Sequence, residues 1–406
     1  MARFRSRRST AAASDPSGAS VGREHQRTIF ERLDDLTRRA GASDPLPAAT
    51  RVFFCVLGLM AIGFLVQLSH SATTTQPDQF MGRLKGLLQF RLLALGVLIA
   101  AFHVGPSRLR RVVPVLTVLC IGLLVAVYVP GIAAEANGSR RWIRLPLLGL
   151  TLQPSEVARV VMILWVADRC VQLGPRVQEM RRYLPMLFFG LGLFAAILGQ
   201  PDLGGGMLFL LCFVCTMWVG GARPAHVAGS LGAAGGGALL IGFSAFAYTR
   251  ERIAVWLGDS SNEQVSRTAE AMASGDFLGV GLTHGGWRNN GLQYMQNDYA
   301  FSLVGEELGL LGVVMVIGLL LAFAWNSLKL VLSIPDRFSA LVAFGLLVSV
   351  ALQAMLHIQV VTGLAPPKGI NLPFISDGGS SLVASCLAVG LALGSVRRPV
   401  EGVQGS

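Results

Sequence analysis

The chain has 406 residues, of which 52% are hydrophobic and only 14% charged, with a formal net charge of +11. Soluble domains carry about 25% charged residues, so a water-soluble globular protein is excluded. The basic excess has no accompanying aromatic-basic module of the kind that binds nucleic acid. It is therefore read as membrane topology and attraction to anionic lipid.

The first 50 residues are polar and Arg-rich, with no apolar core or cleavage site of a signal peptide, and are expected to form a cytoplasmic tail. Within it Ile29, Phe30, Leu33 and Leu36 fall on one helical face among Arg27, Arg32, Arg38 and Arg39. That stretch either lies on the inner membrane surface or belongs to a mostly disordered tail. Residues 51–398 form the transmembrane domain and 399–406 a short cytoplasmic C-terminal tail.

Crossing a hydrocarbon core about 30 Å thick takes roughly 20 apolar residues. Such runs occur near 52–70, 87–104, 112–130, 157–173, 184–199, 205–221, 226–248, 299–324, 338–358 and 380–396. Backbone groups in lipid must be satisfied within the segment, so runs of this length read as helices. The expected fold is all-α and polytopic, with about ten transmembrane helices. With the N-terminus in the cytoplasm, Arg108, Arg110, Arg111, Arg176, Arg181, Arg182, Arg397 and Arg398 fall in short inner segments, as the positive-inside rule requires. The C-terminus is then cytoplasmic too. Three long stretches, 131–156, 249–298 and 359–379, lie on the outer side, the largest between the seventh and eighth helices. Long loops gathered on one side of a helical body usually carry function.

Several tempting patterns are set aside. Cys55, Cys120, Cys212, Cys215 and Cys386 lie in apolar runs, and the spacing of Cys212 and Cys215, without a nearby His, marks small core residues. The glycines from Gly229 to Gly242 suit close helix packing. Gly279 and Gly281 follow no strand and are not a nucleotide loop.

Charges placed at the outer ends of the helices are the informative feature, because an ionisable group at membrane depth needs a reason to be there. Arg140, Arg141 and Arg144 oppose the orientation rule and call for an anion, phosphate being the natural match for a guanidinium fork. Gln153-Pro154-Ser155-Glu156 reads as a helix start, and Glu156 and Arg159, three apart, either pair or face a ligand. Asp202 either caps the next helix or lines the site. Asp298 sits just before an apolar run, where partial desolvation would make it a better general base; its alternative role is an N-cap. Glu306, about two turns deeper, needs a partner. Around Lys368 the prolines Pro366 and Pro367 break helix, and the backbone N–H groups of Gly378, Gly379 and Ser380 are suited to an anion.

These blocks, in this order, resemble the SEDS family (shape, elongation, division and sporulation; the RodA, FtsW and SpoVE type). The motifs that carry the resemblance are RRWI, QPSEVAR, QPDLGGG, the ladder from Gln264 to Gly281, NDYAFSLVGEELG and TGLAPPKGINLPFISDGGSS. The resemblance covers roughly residues 52–398. It implies ten transmembrane helices in the bacterial inner membrane and an inverting peptidoglycan glycosyltransferase that polymerises lipid II into β-1,4 glycan strands on the outer face. It further implies a class B penicillin-binding protein as transpeptidase partner, together with other divisome or elongasome membrane proteins. The long N-terminal tail leans toward the FtsW-like, division branch. The essential acid of the family falls on Asp298, and the QPSE glutamate and the following basic residue on Glu156 and Arg159. Departures from the family pattern are Arg159 for Lys, Asp276 for Gly, Asp377 for Tyr, His357 for Asn, and a missing Leu-Pro-Glu where Tyr294-Met295-Gln296-Asn297 stands.

An α-linked donor that yields a β-linked product demands inversion, hence one base and cations for the leaving diphosphate. Asp298 is assigned as base, and Arg140, Arg141, Arg159 and Lys368 as diphosphate ligands, with Ser380 at the anion-binding turn. Glu156 orients the cations or helps to hold a divalent cation; no other cofactor is expected. The rival readings are a lipid II flippase and a non-catalytic division scaffold. The charges gather on one face instead of tracking across the bilayer, which favours the enzyme.

Overall fold

A computed structural model describes residues 44–129, 133–136, 139–145, 150–200, 202–245, 254, 263–287 and 295–397. The expectations for the tail at 29–36, for Arg250 and Arg252, for Tyr294 and for the C-terminal tail lie outside the described residues, as do the side chains of Arg140 and Gln264.

Each of the apolar runs forms a helix. They are α1 (Pro45–Thr74), α2 (Pro77–Leu109), α3 (Val113–Ala126), α4 (Pro154–Leu173), α5 (Met180–Leu198), α6 (Leu203–Val219) and α7 (Pro224–Ala245). After α8 (Glu263–Ser274) follow α9 (Ala300–Ser333), α10 (Arg337–Val361) and α11 (Gly379–Gly394). Among the described residues five stretches are long and apolar enough to cross a membrane: Pro45–Thr74, Pro77–Ala126, Met180–Leu198, Ala300–Ser333 and Arg337–Val361. The polar residues that punctuate the sequence also start the helices. Asp44 accepts from Leu46 N–H at 3.0 Å to cap α1, and Asp336 accepts from Ser339 N–H at 2.8 Å to cap α10. Large apolar side chains such as Phe54, Leu92, Val118, Phe188, Leu321 and Trp325 point outward, as a lipid-facing surface requires.

Two parts of the outer stretches are more ordered than a loop. Residues 133–152 hold a three-stranded antiparallel sheet, β1 (Ala133–Ala136), β2 (Ser139–Leu145) and β3 (Leu150–Leu152), in that order. Ile143 pairs with Ala133 on one side and Leu152 on the other. Buried Ile143 beside exposed Arg144 is the inside-outside alternation of a strand. The arginines of the RRWI block therefore stand on β2, not on a free loop.

The second part is α8 and the glycine-rich turn that follows it. At Gly309 the backbone of α9 leaves helical geometry (φ 63°, ψ −161°), which would strand the carbonyls of Glu306 and Glu307 and the N–H groups of Leu310 and Leu311. The turn supplies all the missing partners. Val280 N–H donates to Glu306 O (3.0 Å) and Gly281 N–H to Glu307 O (3.2 Å), while Leu310 N–H donates to Asp276 O (2.9 Å) and Leu311 N–H to Phe277 O (3.2 Å). The turn is thus spliced into the broken helix. A β-carbon at Gly279 (φ +82°) would overlap Glu307 O, so glycine is required there. Asp276 (φ +46°) holds a left-handed conformation that Asp tolerates better than most residues.

Candidate active site

The sequence blocks singled out above converge at one end of the bundle. Pro154 opens α4, which puts Glu156 in the first turn and Arg159 one turn on. Arg159 Nη2 donates to Glu156 Oε2 at 2.7 Å, with their side chains 4% and 12% exposed. The pair forms, and both of its members also line a cavity of about 30 Å³, so pairing and access to a ligand coexist.

Asp202 combines the two roles considered for it. Its Oδ1 accepts from Gly205 N–H at 3.0 Å, capping α6. Its Oδ2 accepts from Gln153 Nε2 (2.8 Å) and Ser155 Oγ (3.0 Å), tying α6 to the start of α4 at the cavity wall. Arg141 reaches it from β2 at 3.9 Å. A carboxylate held by this many donors is fixed in direction.

The opposite wall comes from α10 and the segment Gly369-Ile370-Asn371. Gly204 on α6 lets this segment approach, since a β-carbon there would lie 2.8 Å from Ile370 Cγ1. Two buried polar residues of α10 hold the segment. Gln353 Nε2 donates to Asn371 O and to Ser381 Oγ, both at 3.0 Å. His357 Nδ1 lies 2.6 Å from Ile370 O, and its Nε2 accepts from Phe301 N–H at 3.4 Å. These two partners require the neutral tautomer with the proton on Nδ1.

Asp298 sits among these contacts. It is half-buried and lies one residue before Tyr299, the assigned cap position of α9. The residues around it are pinned individually. Gln67 Nε2 on α1 donates to Gln296 O (2.8 Å), Ser376 Oγ donates to Asn297 O (2.7 Å), and Asp377 N–H donates to Gln296 O (2.9 Å). A β-carbon on Gly369 would lie 3.2 Å from Asp298 Oδ2, which sets the carboxylate directly against the cavity's Gly369 wall.

The other expected residues are placed as follows. Lys368 contacts Met207 Sδ on α6; it adjoins Gly369 but does not itself line the cavity. Ser380 is half-buried in the first turn of α11 and is not part of the wall, whereas the next residue, Ser381, orients Gln353. Glu306 and Glu307 find their partners in Trp287 N–H (3.0 Å) and Ser69 Oγ (2.6 Å). Asp377 pairs with Arg83; burial pushes its carboxyl above the ordinary value, and Arg83 and Arg91 oppose that rise.

Gln353, Asn371 and Ser381 were not singled out from sequence. The available signal was a glutamine and a histidine inside an apolar run, which at membrane depth must have partners. Among the described residues no group of three or more His, Cys, Asp or Glu side chains is arranged to hold a metal. Glu156 and Asp202 are the two carboxylates of the cavity that a divalent cation would meet.

The sequence profile of the FtsW, RodA and SpoVE cell cycle proteins matches residues 49–398. The chain belongs to this family. It is 31% identical over 352 residues to the probable peptidoglycan glycosyltransferase FtsW of Trichlorobacter lovleyi, covering 83% of this chain and 90% of that one. It is 32% identical over 348 residues to the stage V sporulation protein E of Bacillus subtilis, covering 82% and 93%. Among solved structures, a chain reported under "Structural coordination of polymerization and crosslinking by a peptidoglycan synthase complex" aligns with TM-score 0.67 at 25% identity, covering 84% of this chain and 95% of that one. The rod shape determining protein RodA of Thermus thermophilus aligns with TM-score 0.60 at 24% identity, covering 85% and 95%, and shares the fold. All the residues that line the cavity lie within the matched region, 49–398.

Proposed function

We propose that this FtsW/RodA/SpoVE-family chain is an inverting peptidoglycan glycosyltransferase that polymerises lipid II on the outer face of the bacterial inner membrane. One observation carries the reading: the half-buried carboxylate of Asp298 abuts Gly369, which lines the same cavity as Glu156 and Arg159. A base and cations therefore occur within one site at one end of a helical bundle.

Asp298 takes the proton of the acceptor sugar's 4-hydroxyl as that oxygen attacks the anomeric carbon of the donor. The bond to the diphosphate breaks on the opposite face, so configuration inverts in a single displacement. Arg159, Arg141, Arg140 and Lys368 stabilise the departing diphosphate, and Ser380 contributes to anion binding at the start of α11. Glu156 holds the Arg159 fork in direction, or helps to hold a divalent cation in the site.

Both termini face the cytoplasm in this reading. Its support is the basic cluster at the end of the bundle away from the cavity, where Arg110 pairs with Asp168 at 2.9 Å and Arg397 donates to His103 O at 3.0 Å. A class B penicillin-binding protein is the proposed partner, with a role in division and contact with other divisome proteins.

The test is polymer formation from labelled lipid II by the purified full chain and by Asp298→Asn. Loss of a general base is expected to cost about 10²- to 10⁴-fold; full activity in the variant refutes the assignment. Lipid II flipping in proteoliposomes without polymer would identify a transporter instead, and an inert wild type that still binds its partner would identify a scaffold. Labelling of single cysteines introduced near Arg181 and near Gly286 reports which end faces which compartment.

A further inference from the structure

The amide of Gln353 is fixed in orientation. Its nitrogen spends both hydrogens, one on Asn371 O and one on Ser381 Oγ. A backbone carbonyl only accepts, so oxygen and nitrogen cannot be exchanged here. The Oε1 atom that remains is buried and has no hydrogen-bond partner among the described residues. Gln353 is 1% exposed and lines the cavity.

A matching donor lies in the same cavity wall. Arg159 is 3% exposed; its Nη2 is committed to Glu156, while its Nε–H is buried and has no partner among the described residues. Buried polar groups are nearly always satisfied, so one acceptor and one donor left over in a shared cavity ask for a group that both gives and takes a hydrogen bond. The cavity volume of about 30 Å³ has room for a hydroxyl-sized group between these walls.

We propose that Gln353 Oε1 and Arg159 Nε–H form a notch that binds one non-reacting hydroxyl of the saccharide substrate. The hydroxyl donates to Gln353 and accepts from Arg159, while the ring stays outside. This rests on the proposal that the cavity receives a saccharide. It adds Gln353 as a substrate-binding residue and gives Arg159 a contact distinct from the diphosphate. A bound water has the same chemistry and is the competing occupant.

The experiment measures the equilibrium Kd of the full chain in detergent for lipid II and for analogues that each lack one non-reacting sugar hydroxyl. Binding is read separately from polymer formation, so a chain that binds without polymerising refutes the activity and still tests the notch. The wild type is expected to bind one analogue about tenfold more weakly, since its absence leaves two buried groups unsatisfied. In Gln353→Met that penalty disappears. In Gln353→Glu it persists with the side chain protonated, because its O–H can donate to Asn371 O, its other oxygen remains the acceptor and Ser381 can turn to donate. A water-filled notch predicts no analogue-specific penalty in the wild type, which overturns the proposal whether or not the variants fold. Equal penalties in Met and Glu variants overturn it as well.

Discussion

Asp298 and Gly369 touch across the junction between two outer segments that are far apart in sequence, the carboxylate resting where a side chain on Gly369 would begin. A methyl group at 3.2 Å from Oδ2 is closer than ordinary van der Waals contact. Gly369→Ala should therefore displace the carboxylate by a few tenths of an ångström and lower the polymerisation rate roughly tenfold, since small misplacements of reacting groups are costly. Gly369 is exposed, so thermal unfolding should hardly change. An unaltered rate would show that the carboxylate position is not what limits the reaction.

Glu156 and Arg159 make a different demand. Truncating one partner of a buried ion pair leaves an uncompensated charge and costs about 3 kcal/mol. Glu156→Gln should lower unfolding stability by about that amount, and Glu156→Gln with Arg159→Gln should recover part of it while remaining inactive. Denaturant unfolding in detergent, beside the polymerisation assay, separates the two effects. Greater stability in the single than in the double variant would contradict the pairing.

How much of this was legible beforehand differs between elements for physical reasons. The helices were visible because hydrocarbon thickness imposes a length and a composition. The span expected at 299–324 stopped short of Ser333 because Asn326, Ser327 and Lys329 ended the apolar run; Lys329 in fact lies 5.1 Å from the centre of the Trp325 ring. The sheet at 133–152 was missed because its arginines mask a brief alternation. The sheet nonetheless presents Arg141 to Asp202. The glycines before Gly281 were recognisable as a pattern, yet their purpose depends on the break at Gly309, which sequence does not announce. Gln353 was overlooked and His357 noted only as a departure from the family pattern, because their partners lie in loops whose path only the fold supplies.

The spliced turn gives a sharp contrast between neighbouring positions. Gly279→Ala meets Glu307 O and a left-handed backbone together, and should cost at least about 2 kcal/mol, seen as a lost or lowered melting transition. Asp276→Gly relieves a positive φ and should be neutral or stabilising by up to about 1 kcal/mol. Equal damage from both would mean that backbone conformation is not the constraint.

His357 can be tested by graded replacement. His357→Leu leaves Ile370 O and Phe301 N–H buried without partners, at about 1–3 kcal/mol each. His357→Asn restores a donor near the Nδ1 position and should recover the Ile370 bond but not the Phe301 one. Its stability and rate should then fall between wild type and Leu. Melting temperature and polymerisation rate, measured on the same samples, check the order.

The joint at Gly309 also governs how the chain can change length over time. Because the backbone groups of Asp276, Phe277, Val280 and Gly281 are matched one for one with those of residues 306–311, an insertion or deletion of a single residue inside the turn would shift every pairing at once. A one-residue insertion between Asp276 and Gly281 should therefore be far more damaging than one outside the turn.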